Sequence, residues 1–103
     1  MSLPVPTEKR CQEAVRRLFL AAGCQVCSLS QPRRTLQSAG LPDLWVFCPR
    51  RRMAWWWEVK RPGGRLRPEQ QAFRDRCLET GVRYHWGGLP EAITMLADLD
   101  LVG

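Results

Sequence analysis

The sequence predicts an α/β fold in which a mixed sheet is flanked by helices. Its elements follow the order helix, three strands, helix, strand, helix, and the two middle strands are apolar on both faces. A strand without a polar face is covered on both sides. The fourth strand follows a helix, and such a crossover implies a parallel pair. The 103 residues have room for one core, so we expect a single domain over 1–103.

The first helix is predicted over 7–23 because apolar residues recur there at helical spacing. Thr7 is a suitable N-cap and Gly23 a suitable C-terminal residue. A short strand is expected over 25–29. A polar loop with proline and glycine should follow over 30–42.

Strands are predicted over 43–48 and 54–60, and the short turn between them makes them a hairpin. Pro68 suits the first position of the second helix, which should end at Gly81. The remaining predicted elements are a strand over 82–86 and a helix over 90–98.

The charge balance points to a polyanionic partner. Sixteen basic residues against ten acidic ones give a net charge of +6, and 14 of the 16 are arginines. The window 50–67 holds seven basic residues and one acidic residue, so the whole excess lies there. Nucleic acid is the expected partner, and a merely solvated arginine-rich surface is the alternative.

The cysteines and the apolar pattern bear on location. Five cysteines are an odd number, and no apolar leader accompanies them, so we expect reduced thiols and a cytoplasmic location. No apolar run reaches the length of a transmembrane helix, so no membrane association is expected. Zinc at Cys24 and Cys27 is a weak alternative, because no second pair lies near them.

Acidic side chains should meet at one end of the hairpin. Glu58 and Lys60 alternate with Val59, so both emerge on one face of an otherwise apolar strand. Asp43 begins the preceding strand, and the start of one hairpin strand lies beside the end of the next. Two adjacent carboxylates favour a cation between them, and oxygen ligands suit Mg²⁺ or Mn²⁺. The alternative is that these charged residues simply lie on the exposed face of an edge strand. The flanking tryptophans disfavour it, because edge strands are rarely so apolar.

Helical periodicity adds two further polar residues to this region. Glu8 lies about 20° from Val15, at the centre of the apolar stripe, whereas Glu13 lies about 160° away and faces solvent. On the second helix, Gln70 shares a face with Phe73 and should also point to the sheet.

These residues resemble the PD-(D/E)XK nuclease superfamily and, more closely, the VRR-NUC (virus-type replication-repair nuclease) family. The resemblance covers essentially the whole chain, and its short form looks like the stand-alone phage and bacterial members. The matching segments are T-E-K-R-C-Q at 7–12, S-A-G-L-P-D-L at 38–44, W-E-V-K at 57–60 and R-L-R-P-E-Q at 65–70.

The resemblance implies a restriction-endonuclease-like αβββαβ core and metal-dependent hydrolysis of DNA. It implies that Glu8, Asp43, Glu58 and the carbonyl of Val59 bind Mg²⁺ or Mn²⁺. Lys60 would orient or activate the attacking water, and Gln70 would support the site from the helix. Stand-alone members act as homodimers on branched DNA such as four-way (Holliday) junctions, so a homodimer is expected here.

The loops that border the predicted site carry candidate phosphate ligands. They are Arg33, Arg34, Ser38, Arg61, Arg65 and Arg67. Trp55 and Trp57 should belong to the core, Trp56 should lie under the site, and His85 should be structural.

Three other functions remain open. They are a restriction-type nuclease, a non-catalytic nucleic-acid-binding module with this fold, and a small interaction protein whose basic patch is incidental. The short chain leaves no room for a separate recognition domain. The complete set Glu8, Asp43, Glu58 and Lys60 disfavours a non-catalytic module.

Overall fold

The computed structural model describes residues 4–29 and 39–101. Its elements, in chain order, are α1 (Glu8–Ala21), β1 (Gln25–Ser28), β2 (Leu44–Cys48), β3 (Met53–Val59), α2 (Pro68–Thr80), β4 (Tyr84–Gly87) and α3 (Leu89–Asp98). The predicted α/β fold and its element order are confirmed. Boundaries differ by one or two residues, and the predicted turn contains a single turn of 3₁₀-helix at Pro49–Arg51.

In the described part of the chain the sheet has the strand order β1-β2-β3-β4. The first three strands are antiparallel neighbours, and β4 pairs parallel to β3 after the α2 crossover. The tryptophan-rich strand β3 is therefore an interior strand, as its apolar sequence predicts. Among the described residues, β4 is an edge strand.

Local signals set the helix ends. The Thr7 side chain accepts a hydrogen bond from the Arg10 amide at 3.2 Å and caps α1. Helix α2 starts with Pro68 and ends at Gly81, which has a left-handed φ of 75° that glycine adopts readily.

The two faces of the sheet are covered unequally. Helices α1 and α3 pack on one face around Trp55, Trp57 and Val59, which confirms the predicted core role of the two tryptophans. Helix α2 packs on the opposite face, where a smaller cluster joins Trp56 and Tyr84. No described helix combines the length and apolar character that a membrane span requires.

Candidate active site

Antiparallel pairing brings the two hairpin acids together. Leu44 lies opposite Trp57, so Asp43 comes next to Glu58 just beyond this pair. The Val59 amide donates a hydrogen bond to Asp43 Oδ2 at 2.9 Å, which holds this carboxylate at the end of β3. Glu58 is only 2% exposed. The convergence that the hairpin pattern predicts is therefore present.

Glu8 completes a group of three acids. It is the first residue of α1, and one carboxylate oxygen from each of Glu8, Asp43 and Glu58 lies within 4.8 Å of the other two. The Glu8 side chain is exposed rather than covered by the sheet, because it lies at the first turn of the helix. Glu13 points outward as predicted, and its carboxylate pairs with Arg17 at 2.9 Å and Arg16 at 3.1 Å.

The pKa of Glu58 indicates whether this group of acids is suited to bind a cation. Burial, followed by the hydrogen bond and charge of Asp43, raises the pKa of Glu58 to about 9. Lys60 acts in the opposite direction, and Glu8 raises this pKa further. Burial and the acidic neighbours together keep this carboxyl protonated, and a divalent cation bound there would ionise it. The oxygen ligands of Glu8, Asp43 and Glu58 fit Mg²⁺ or Mn²⁺.

Lys60 follows the strand and lies beside this acidic group. Its amide donates to the Gly87 carbonyl at 3.1 Å, which fixes the backbone between β3 and β4. Its side chain lines a cavity of about 150 Å³ together with Glu8, Arg61, Gly64 and Arg65. A cavity with three cations beside three carboxylates is chemically suited to a phosphate group next to a metal.

Gln70 is buried, with 4% of its surface exposed. Its Oε1 accepts a hydrogen bond from the Arg67 amide at 2.8 Å, so this side chain also stabilises the start of α2. The sequence pattern predicts the inward orientation but not this capping contact.

The candidate phosphate ligands have different surroundings. Arg61 and Arg65 line the cavity beside Lys60, whereas Arg67 pairs with Glu69 at 3.3 Å. Arg33, Arg34 and Ser38 lie outside the described residues.

The basic residues of the window 50–67 do not form one surface patch. Arg50, Arg51 and Arg52 lie at the turn before β3, and Lys60 lies just after that strand. The seven extended residues of β3 separate the two groups by about 23 Å. Arg51 is paired with Asp100 at 3.6 Å. The positive charge therefore divides between the two ends of the hairpin.

Two aromatic residues near the acidic group, Tyr84 and Trp86, were not predicted from the sequence to belong to the site. The parallel register places Tyr84 opposite Trp56 and Trp86 opposite Glu58. Burial, and then the charge of Glu58, raises the pKa of the Tyr84 phenol. The alternation of β4 indicates that 84 and 86 share a face, but the sequence carries no signal for the register of a crossover.

The cysteines show no second metal site in the described residues. Within 4–29 and 39–101, the one group of three or more acidic, histidine or cysteine residues that could hold a metal is the acidic group above. All five cysteines are free thiols, of which four are buried and Cys27 is exposed. Cys24 contacts Cys48, and burial raises the pKa of its thiol to about 11. His85 stacks on Trp57 with ring centroids 6.1 Å apart, which agrees with a structural role.

Comparison with known proteins places this arrangement in a family. The VRR-NUC domain profile matches residues 3–86. A solved structure described as a VRR_NUC domain is similar over 88% of this chain and 94% of its own, with a TM-score of 0.69 and 29% identity. No curated protein matches the chain significantly. The chain belongs to the VRR-NUC domain family and is a nuclease-type domain.

Proposed function

We propose that this protein is a metal-dependent endonuclease that hydrolyses phosphodiester bonds in DNA. The observation that carries the proposal is the convergence of Glu8, Asp43 and Glu58 within 4.8 Å, with Lys60 beside them. Glu8, Asp43, Glu58 and the Val59 carbonyl would hold Mg²⁺ or Mn²⁺. When bound, the ion would stabilise the negative charge that develops on the phosphate during hydrolysis.

The protein's own groups have separate roles in this proposal. The Lys60 ammonium group would orient the attacking water and offset charge on the phosphate. Arg61 and Arg65, which line the same cavity, would bind phosphates beside the cleaved bond. Gln70 would support the site by fixing the start of α2, with its Oε1 bonded to the Arg67 amide at 2.8 Å.

The substrate and assembly form the finer part of the proposal. We propose that residues 1–103 form one nuclease domain that acts as a homodimer on branched DNA such as four-way junctions. A monomer of 11.9 kDa offers little surface to grip a duplex, and a two-fold axis would present two sites to one symmetric substrate. The resemblance to stand-alone VRR-NUC members supports the same assembly. A reduced cytoplasm is the proposed location.

A cleavage panel tests the proposal. Linear, flapped and four-way DNAs are incubated with the protein in Mg²⁺, Mn²⁺ or EDTA. We expect paired symmetric nicks in the four-way DNA with either metal, little cutting of the linear duplex, and no product in EDTA. Light scattering should give about twice 11.9 kDa. Equal cutting of linear and branched DNA, or a strict monomer, would remove only the finer part of the proposal.

Two variants separate catalysis from binding. Lys60→Ala should reduce cleavage about 100-fold or more while DNA affinity falls only modestly, because the variant removes a group that acts on the reacting atoms. Glu13→Ala is the matched control and should cut at the wild-type rate, since its carboxylate pairs with Arg16 and Arg17 on the outer face of α1. A Lys60→Ala variant that cuts normally would contradict the catalytic role. A wild-type protein that binds but never cuts would favour the non-catalytic module.

A further inference from the structure

Trp86 lies beside the acidic group on β4, the last strand of the sheet in the described part of the chain. The parallel register pairs Trp86 with Glu58, and neighbouring strands lie about 4.8 Å apart. Residues 56 and 58 of β3 and residues 84 and 86 of β4 project from the same face, because side chains alternate along each strand. Trp86 is 37% exposed, whereas Glu58 is 2% exposed. An accessible indole therefore adjoins the most buried carboxylate of the site.

Within residues 4–29 and 39–101, Trp86 lacks the aromatic ring contacts that the other tryptophans make. All five tryptophans lie in the described part of the chain, and four of them make edge or stacked contacts with other aromatic rings: Trp45, Trp55, Trp56 and Trp57. Among the described residues, Trp86 makes no such ring contact. With 37% of its surface exposed, the indole offers part of its face to an external partner.

The surroundings of Trp86 indicate the chemistry of that partner. The cavity lined by Lys60, Arg61 and Arg65 suits a phosphate group. Both this cavity and Trp86 lie next to the acidic group. A planar π surface next to phosphate ligands suits a nucleobase attached to that phosphate. Bases inside a continuous duplex are already stacked on their neighbours. Only an unpaired base, or one released at a branch point, has a free face for the indole.

We propose that Trp86 stacks on an unpaired nucleobase next to the phosphate bound at Glu8, Asp43 and Glu58. This inference rests on the proposed nuclease function and names the structural feature of DNA that the site selects. The consequence is a preference for single strands, flaps and junctions over continuous duplex, set by the side chain at position 86.

Binding measurements in EDTA test the proposal without cleavage. Fluorescence anisotropy is recorded with a labelled single-stranded oligothymidine, a flapped duplex and a continuous duplex. Trp86→Ala should weaken binding of the first two about 10-fold, within the range that one stacked base supplies, and change duplex binding less than two-fold. Trp86→Phe should restore most of the loss, because phenylalanine retains an aromatic face.

Phe47 provides the matched control. It is 39% exposed on the same face of the sheet, but it lies four residues from Asp43, about 13 Å along the strand. Phe47→Ala should bind all three DNAs like the wild type. An equal loss in Phe47→Ala and Trp86→Ala would overturn the proposal.

The outcomes separate this inference from the proposed function. A wild-type protein that binds none of the three DNAs in EDTA would overturn the stacking, while the cleavage panel in Mg²⁺ or Mn²⁺ decides the proposed function separately. A wild type that binds them, with a Trp86→Ala variant that binds equally well, would overturn only the stacking. A mass halved by Trp86→Ala in light scattering, with equal losses on every DNA, would overturn the stacking by making Trp86 a contact between protein chains. Selective loss at unchanged mass supports the proposal.

Discussion

Glu58 is the most deeply buried of the three acids of the site. Its burial and its contact with Asp43 raise its pKa to about 9, so the carboxyl of the metal-free protein is protonated at neutral pH. A divalent cation would have to displace this proton. The Glu58 side chain therefore makes both the stability of the fold and the affinity for the metal depend on pH.

The stability of the metal-free protein should fall as the pH rises. The unfolded chain releases the Glu58 proton near the ordinary pKa of 4.5, whereas the folded chain keeps it up to about 9. Between these values the folded state binds more protons, so the free energy of unfolding decreases by up to about 1.4 kcal/mol per pH unit. Urea unfolding in EDTA at pH 5 and pH 8 measures the difference. Glu58→Gln should flatten the dependence, and an unchanged dependence in this variant would contradict the assignment.

Tyr84 offers a second prediction at the same scale. Its hydroxyl is buried and has no hydrogen-bond partner in the described part of the chain. A buried hydroxyl without a partner costs free energy, so Tyr84→Phe should leave the free energy of unfolding unchanged or raise it by about 1 kcal/mol. Trp57→Phe is the contrast, because it removes a buried hydrogen bond to the Gly87 carbonyl at 3.1 Å and should destabilise. A clear loss of stability in Tyr84→Phe would mean that the hydroxyl has a partner.

At the scale of elements, the turn before β2 is held against α2 by close backbone approach. Gly40 has a φ of 81°, and a Cβ at this position would overlap the carbonyl oxygen of Glu69. The contact fixes the segment that leads to Asp43 relative to the start of α2, where Gln70 is buried. A glycine is required here for both conformation and space.

The pair Gly40→Ala and Gly63→Ala separates these two requirements. Gly63 has a similar φ of 77° but no atom within 4 Å of an added Cβ, so its substitution should cost only the conformational strain, about 1 kcal/mol. Gly40→Ala adds a backbone clash and should cost at least about 2 kcal/mol more. Thermal unfolding of both variants measures the difference. Equal losses would show that the approach to Glu69 is not tight.

The elements that the sequence predicts well depend on local signals. Thr7, Pro68 and Gly81 set helix ends through contacts within a few residues, and the short turn fixes the hairpin that joins Asp43 to Glu58. The position of Trp86 depends on the register of β4 after a helical crossover, which packing decides rather than any local pattern.

At the scale of the whole molecule, the basic residues of the window 50–67 lie at both ends of β3. Sequence proximity suggests one patch over 50–67, but β3 runs through the middle of that window and carries the two groups apart. The distribution of charge along the sequence therefore predicts a polyanionic partner, but it does not show which surface of the protein contacts that partner. The group beside the cavity includes Arg61 and Arg65.

Removing charge at each end should have unequal effects on DNA binding. The double variant Arg61→Ala/Arg65→Ala should weaken binding more than 10-fold and reduce the salt dependence of log K, because two phosphate contacts are lost. Arg50→Ala/Arg52→Ala changes the net charge equally and should weaken binding less than three-fold. Titrations at several salt concentrations measure both. A larger loss of binding in Arg50→Ala/Arg52→Ala than in Arg61→Ala/Arg65→Ala would place the main DNA contact away from the acidic group.

The central claim is that Glu8, Asp43 and Glu58 form one divalent-metal site, and calorimetric titration with Mn²⁺ tests it most directly. At pH 7.5 in buffers of different ionisation enthalpy, the wild type should bind Mn²⁺ and release about one proton, because Glu58 must ionise. Asp43→Asn should lose this binding, and Glu13→Ala should keep it. Equal binding by Asp43→Asn, or binding lost in Glu13→Ala, would contradict the claim.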